Sequence, residues 1–197
     1  MPTPLHMAAQ GGHAGALKAL VDAGACVEAR DEASLTALHV AAGKGSAEGI
    51  RVLIESGADV EAQTATKLTP LHLAAQGGHV AALVALVGAG ACVEALNEAM
   101  ATPLHMAGFG GHVGVVHALL HAGAAVEAQT DKLMTPLHMA AQEGHVKTME
   151  ALMEAGASVE ARAGTTITPL YLAAMEGHAE AIEAIRRRER QLKFQRI

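Results

Sequence analysis

Bulky side chains are what this 197-residue chain most lacks. It has no tryptophan, one tyrosine and two phenylalanines, although half of it is apolar. A compact domain of this length buries most of its surface and normally needs large anchors to do so. An Ala/Leu/Gly chain without them predicts thin, repeated layers. Long apolar runs are missing too, because Gly, His or Glu interrupts them after a few residues, which excludes a membrane span of about 20 residues. Met1–Pro2–Thr3 leads straight into patterned sequence, so no signal peptide is expected. Cysteine is scarce: Cys26 and Cys92 are the whole supply.

What the chain does have is a period. Thr3-Pro4-Leu5-His6, Thr36-Ala37-Leu38-His39, Thr69-Pro70-Leu71-His72, Thr102-Pro103-Leu104-His105, Thr135-Pro136-Leu137-His138 and Thr168-Pro169-Leu170-Tyr171 begin at strict 33-residue spacing. A fixed period of this size signals stacked supersecondary units. Thr before Pro marks a helix start: Thr caps orphan N–H groups, and Pro at the first helical position has no N–H to leave unsatisfied. A short first helix should end near Gly12, Gly45, Gly78, Gly111, Gly144 and Gly177. A second helix follows, with a buried stripe at i, i+3, i+4: Leu17/Leu20/Val21, Ile50/Leu53/Ile54, Leu83/Leu86/Val87, Val116/Leu119/Leu120 and Met149/Leu152/Met153. Gly24, Gly57, Gly90, Gly123 and Gly156 stop it. An extended segment centred on Val27, Val60, Val93, Val126 and Val159 then leads to a hairpin-like turn.

This pattern resembles the ankyrin repeat, whose T-P-L-H-x-A signature recurs at the same interval. Six copies in register carry the resemblance from Thr3 to about Ile185. It implies an all-α repeat solenoid of helix-turn-helix units with short β-hairpin-like connecting loops. No unit buries its apolar face alone, so one domain over 1–185 is expected. The first unit starts at its Thr without a preceding hairpin, and a piece of a longer chain is the favoured explanation. At the far end Arg186 takes the third apolar slot of the stripe and Glu189 the place of the stop Gly. The last helix is expected to continue into the basic tail 186–197, RRRERQLKFQRI, and to fray before Ile197.

Charge is uneven. The chain carries −6 in all, the tail +5, and the remainder therefore −11. Glu28, Glu61, Glu94, Glu127 and Glu160 recur at one position, where the ankyrin family often has Asn. They are either solvated beside the hairpins or an acidic ridge that selects basic partners. The tail is either a solvated helix end or a contact for nuclear import or an anionic partner. An acidic body argues against nucleic acid as the main ligand. Cys26 and Cys92 sit two repeats apart, roughly 20 Å if packed layers are about 10 Å apart. That is beyond disulfide reach, and two free thiols in a reducing, intracellular compartment are expected.

Twelve histidines invite an enzymatic interpretation. Ten fall in two ladders, His6/His39/His72/His105/His138 and His13/His79/His112/His145/His178, to which the resemblance assigns structural hydrogen bonds. His117 and His121 share one face of a second helix at i, i+4. Two ligands fall short of a structural zinc site, and no HExxH glutamate accompanies them. No nucleophile elbow or phosphate loop is present. No metal, cofactor or catalysis is expected.

The resemblance implies protein binding through hairpin tips and the concave face of the first helices. The tips RDEASL, QTATKL, LNEAMA, QTDKLM and RAGTTI lack the family's Asp-Gly turn and are expected to be less regular. They are unusually apolar: Leu35, Leu68, Met134 and Ile167 precede Thr, with Leu96, Met100 and Leu133 nearby and Lys67 among the charged rim. Either they pack between hairpins or they form an exposed strip of the kind that marks an interaction site. On the first helices Phe109 is the outlier in a slot otherwise held by Gln, Gly or Met, with Gln76, Gln142 and Glu143 around it. It either fills the groove or projects as an aromatic anchor. A monomeric scaffold binding a protein partner with basic or apolar contact residues is the favoured function. An architectural spacer within a larger protein comes second, and a metal-binding or enzymatic protein third. Cytoplasmic location is expected, with nuclear entry through the tail as a variant.

Overall fold

A computed structural model describes residues 1–194. They divide into two compact units, Met1–Glu98 and Ala99–Ile197. The first unit holds α1 (Pro4–Gln10), α2 (Ala14–Asp22), α3 (Ala37–Gly43), α4 (Ala47–Glu55), α5 (Pro70–Gln76) and α6 (Val80–Gly88). The second holds α7 (Pro103–Gly110), α8 (Val113–His121), α9 (Pro136–Gln142), α10 (Val146–Glu154), α11 (Pro169–Met175) and α12 (Ala179–Phe194). Among the described residues no strand forms. One isolated antiparallel bridge joins Ala163 to Ile167 in the last hairpin.

Each unit is two layers of helices. In the first, α1, α3 and α5 pack in one row and α2, α4 and α6 in another. In the second, α7, α9 and α11 face α8, α10 and α12 in the same way. The rows follow from composition. First helices are Ala-rich and short, so their backbones approach closely, as at the fully buried Ala41, Ala42, Ala74, Ala75, Ala140 and Ala141. Second helices bury the predicted stripe: Ile50, Leu53, Leu83, Leu86, Val116, Leu119, Met149 and Leu152 are all essentially inaccessible. Each such Leu contributes roughly 1.5–3 kcal/mol, so repetition compensates for the absence of aromatic anchors. In the first four second helices the third stripe position, such as Ile54 or Leu120, is only half-buried, but Met153 in α10 is fully covered.

The last helix runs on past the usual stop, through Arg186 to Phe194. There Arg188 Nη2 donates at 2.9 Å to the Met153 carbonyl at the end of α10, which also accepts from Gly156 N at 3.1 Å. The expected fraying before Ile197 falls on 195–197, outside the described residues.

Two expectations about the connecting loops change. The segment around Val27 is not extended. Ala29 N donates to the Cys26 carbonyl, closing a tight turn, and the same turn recurs with Ala62 to Asp59, Ala95 to Cys92, Ala128 to Ala125 and Ala161 to Ser158. The chain leaves the second helix through a left-handed Gly, such as Gly57 at φ +89°, and must reverse at once to reach the next hairpin. The tips are also more regular than their lack of Asp-Gly suggests. Ser34, Lys67, Met100 and Leu133 all adopt the same left-handed conformation, at φ 61°, 59°, 56° and 60°. Side-chain oxygens hold the turn where Gly would have eased it. Asp31 Oδ1 accepts from Leu35 N at 2.9 Å, Thr64 Oγ1 from Leu68 N at 3.0 Å and Thr130 Oγ1 from Met134 N at 3.1 Å. A left-handed L-residue costs on the order of 1–2 kcal/mol.

Candidate functional site

The histidine ladders are staples between repeats. Five of the six first helices, all but α11, open on a capping box in which His takes the part usually played by Glu. At Thr36 the main-chain N–H donates to His39 Nδ1 at 3.2 Å and the hydroxyl lies 2.9 Å from the same atom. Because an N–H can only donate, Nδ1 is the acceptor and Nε2 carries the proton. Nε2 then donates to a carbonyl in the next hairpin: His6 to Leu35 at 2.8 Å, His39 to Leu68 at 3.0 Å, His105 to Met134 at 3.0 Å and His138 to Ile167 at 3.2 Å. The second ladder reaches backwards into the preceding repeat. His79 bonds the Gly43 carbonyl at 3.0 Å, His145 that of Phe109 at 3.0 Å and His178 that of Gln142 at 2.9 Å. The sixth repeat has Tyr171 in place of the first His, and its ring is half exposed.

These staples use the backbone of the residues in front of Thr36, Thr69, Thr135 and Thr168. The carbonyls of Leu35, Leu68, Met134 and Ile167 are the acceptors, and their side chains are only half-buried, neither free at the surface nor in the core. Ala101, in the same position, is buried.

The glutamate ladder is exposed to solvent beside the hairpins, as one of the two expectations had it, and three of its members also bond the following repeat. Glu28 Oε1 accepts from Asp59 N at 2.9 Å, Glu61 Oε1 from Cys92 N at 2.8 Å and Glu127 Oε1 from Ser158 N at 2.8 Å. Each of these carboxylates fixes the turn of the following repeat. The recurrence of Glu signals a role, but periodicity does not say which atom it meets.

Burial keeps two of the stapling histidines neutral. It lowers the His39 pKa below the ordinary 6.5, helped by the Arg30 guanidinium and opposed by the bond to Leu68. It lowers that of His138 likewise, against the bonds to Ile167 and Ala161. The geometry agrees, since a proton on Nδ1 would face the Thr N–H. The unfolded chain therefore binds more protons than the folded one below pH 6.5, and stability rises with pH in that window. Tm should be level from pH 8 to about 7 and fall by several degrees between 6.5 and about 5, measured by circular dichroism in low-salt buffer. A flat profile would mean that these imidazoles protonate without breaking the staples.

Several large apolar side chains stay open to solvent among the charged ones. In the second unit Phe109, Met100 and Leu133 are 45%, 47% and 45% exposed. In the first unit Leu96 is comparably open and Lys67 is exposed. Gln142 and Glu143 are half-buried at the end of α9, joined side chain to side chain at 3.4 Å. Exposed Met175 and Tyr171 on α11 lie outside the contacts expected from sequence. Their signal is nonetheless present there, since both depart from what the other repeats hold at those positions. Asp131 N donates to the Ala99 carbonyl at 3.0 Å, so the hairpins bearing Met100 and Leu133 are bonded to each other.

The glycine before Phe109 has a local cause. A Cβ on Gly108 would lie 2.7 Å from the Pro136 carbonyl oxygen. Glycine there lets α7 press against the start of α9, closer than the Ala found in the other repeats would allow. That helix is one residue longer than its counterparts and ends on left-handed Gly111. The Phe109 carbonyl, not its ring, makes the bond to His145.

His117 and His121 are exposed on α8, and among the described residues no group of three or more His, Cys, Asp or Glu could hold a metal ion. Cys26 and Cys92 are exposed and free. No described helix is long and apolar enough to cross a membrane.

The family model for ankyrin repeats (3 copies) matches residues 1–64, 61–130 and 123–193. This chain belongs to the ankyrin-repeat family. A crystal structure of the human ASB11 ankyrin repeat domain is similar to it at a TM-score of 0.87 and 31% identity, covering 95% of this chain and 84% of that one. No curated protein matches the sequence. Ankyrin repeats are generally protein-interaction modules, and an all-helical repeat solenoid of this kind is typically non-catalytic.

Proposed function

We propose that this ankyrin-repeat chain is a scaffold that binds a partner protein through its hairpin tips and first-helix ends, without catalysis. The observation that carries this reading is the half exposure of Phe109, Met100 and Leu133 in the second unit, in a chain with so few large side chains to spend. Leu96 in the first unit is open in the same way. Met100 and Leu133 stand on hairpins bonded to each other, and contiguous apolar surface marks binding sites. In the second unit Met134 and Ile167 add apolar contacts and Gln142 and Glu143 polar ones; in the first, Leu35 and Leu68 add apolar contacts and Lys67 a charge. The 33-residue register passes from Thr69 to Thr102 without interruption, which supports treating 1–185 as one functional domain and 186–197 as a tail. The two free thiols favour an intracellular setting.

The test is differential capture. Wild-type chain and a variant with Leu96, Met100, Phe109 and Leu133 all changed to Ser are immobilised after their helicity is shown to be equal. Proteins retained from extract are compared by quantitative mass spectrometry. A defined set held by the wild type and lost from the variant is expected. Identical sets would reject the scaffold and favour a spacer.

A further inference from the structure

The first and sixth repeats each leave one apolar face uncovered. In the first unit Pro4 and Ala16 are exposed and Leu20 is half-buried, although the matching positions are buried in all five later repeats. In the second unit Ala174 is exposed and Leu170 and Ile182 are half-buried, although their counterparts are buried in all five earlier repeats. The continuation of α12 to Phe194 leaves these three open. Outer repeats of a solenoid normally turn a polar face to water. These two present instead the two apolar halves of the ordinary contact between neighbouring repeats. His13 is unfinished in the same way. Its counterparts His79, His145 and His178 reach back to a carbonyl at the end of the preceding first helix. His13 holds the same pose: a Cβ on Gly11 would lie 2.7 Å from its Nε2, and one on Gly77 would lie 2.6 Å from that of His79. Yet His13 is exposed, and among the described residues its ring has no hydrogen-bond partner. One 33-residue step beyond the bond from His178 to Gln142, the acceptor is the carbonyl of Met175, which ends α11 as Gln142 ends α9.

Charge fits the same register. Lys18 and Asp22 are the only Lys, Arg, Asp or Glu on α1 and α2. Their counterparts in the sixth repeat are Glu183 and Arg187, so a sixth repeat stacked before the first would set each against the opposite sign. Glu176, Glu180 and Arg186 would stand against Gly11, Gly15 and Val21, so no like charges oppose each other position for position. Exposed side chains on neighbouring second helices do reach each other, as Arg187 and Glu150 show at 3.6 Å. We propose that the first repeat of one copy stacks on the sixth repeat of a second copy, carrying the 33-residue register from chain to chain. This takes the place of the monomer expected from sequence. A join whose two sides differ leaves a free face on each copy, so it repeats instead of stopping at a pair.

Sedimentation velocity of the full chain, from about 10 μM to about 1 mM, tests this across the range of weak to moderate interfaces. The mean mass should climb from the 20.1 kDa of one chain to beyond twice that value. Ala16→Glu and Ala174→Glu each place a charge on one face, at positions exposed in the single chain. Both variants should keep the wild-type helicity and stay monomeric. Mixed, they should form a one-to-one dimer, because each retains the face that the other has lost. His13→Ala should raise the concentration needed for assembly about fivefold, through the loss of one hydrogen bond. A wild type that stays monomeric throughout would leave these faces to repeats of some other chain and overturn the proposal. Assembly that halts at a dimer, survives either glutamate or is not restored by mixing would overturn it as well.

Discussion

His138→Ala should destabilise the second unit by about 3 kcal/mol, within the range for losing buried bonds together with a buried ring. The imidazole is fully buried. Its Nδ1 accepts from Thr135 N at 3.1 Å with the Thr135 hydroxyl at 2.9 Å, and its Nε2 donates to the Ile167 carbonyl. Alanine leaves a void and strands polar groups from two consecutive repeats. Each stranded group loses its water on folding without regaining a partner, which costs about 1–3 kcal/mol. His145→Ala removes a bond of similar length, to Phe109, but from a more open site, and should cost about 1 kcal/mol or less. Urea unfolding of the full chain with both variants separates the cases. Equal losses would mean that the bond, not its burial, sets the energy.

Phe109→Ala should weaken partner binding about thirtyfold, the equivalent of the roughly 2 kcal/mol that a central aromatic anchor contributes. The protein to measure is the best-captured member of the differential set, titrated by calorimetry. Thermal stability should change little. The ring is 45% exposed, and the residue's part in the fold is its carbonyl, which alanine keeps. Removing the ring does not disturb the close approach at Gly108, because that contact is between backbones. A variant that melts several degrees lower yet binds normally would assign the ring to packing, and the anchor role would pass to the hairpin tips.

Much of this architecture can be read from the residues because it is set within a few positions of the chain. Thr-Pro starts a helix by local bonding, the i, i+3, i+4 stripe chooses the buried side, and Gly57 and its equivalents stop the second helix. Six repetitions at one strict interval then name the family. The surface is less legible. Leu35, Leu68, Met134 and Ile167 look in sequence like the same apolar strip as Met100 and Leu133. Only their position in the fold separates half-covered residues behind a stapled carbonyl from open residues at a left-handed tip. A preference for one side of an element is a property of spacing, whereas exposure depends on what the next hairpin covers.

The sequence by itself determined the repeat length, the helix pairs, the stripe of core residues and the scarcity of large side chains that makes Phe109 conspicuous. Tertiary structure decided the rest. The first His ladder reaches forward to the next hairpin, and the second reaches back to the preceding first helix. Glu28, Glu61 and Glu127 hold the next turn's N–H, and Gly108 yields its Cβ to the Pro136 carbonyl. Met100 and Leu133 take a conformation that their residue types resist. The reason is common to all of them: each depends on an atom supplied by a neighbouring repeat, far away along the chain. Its direction and distance are fixed only when the layers pack.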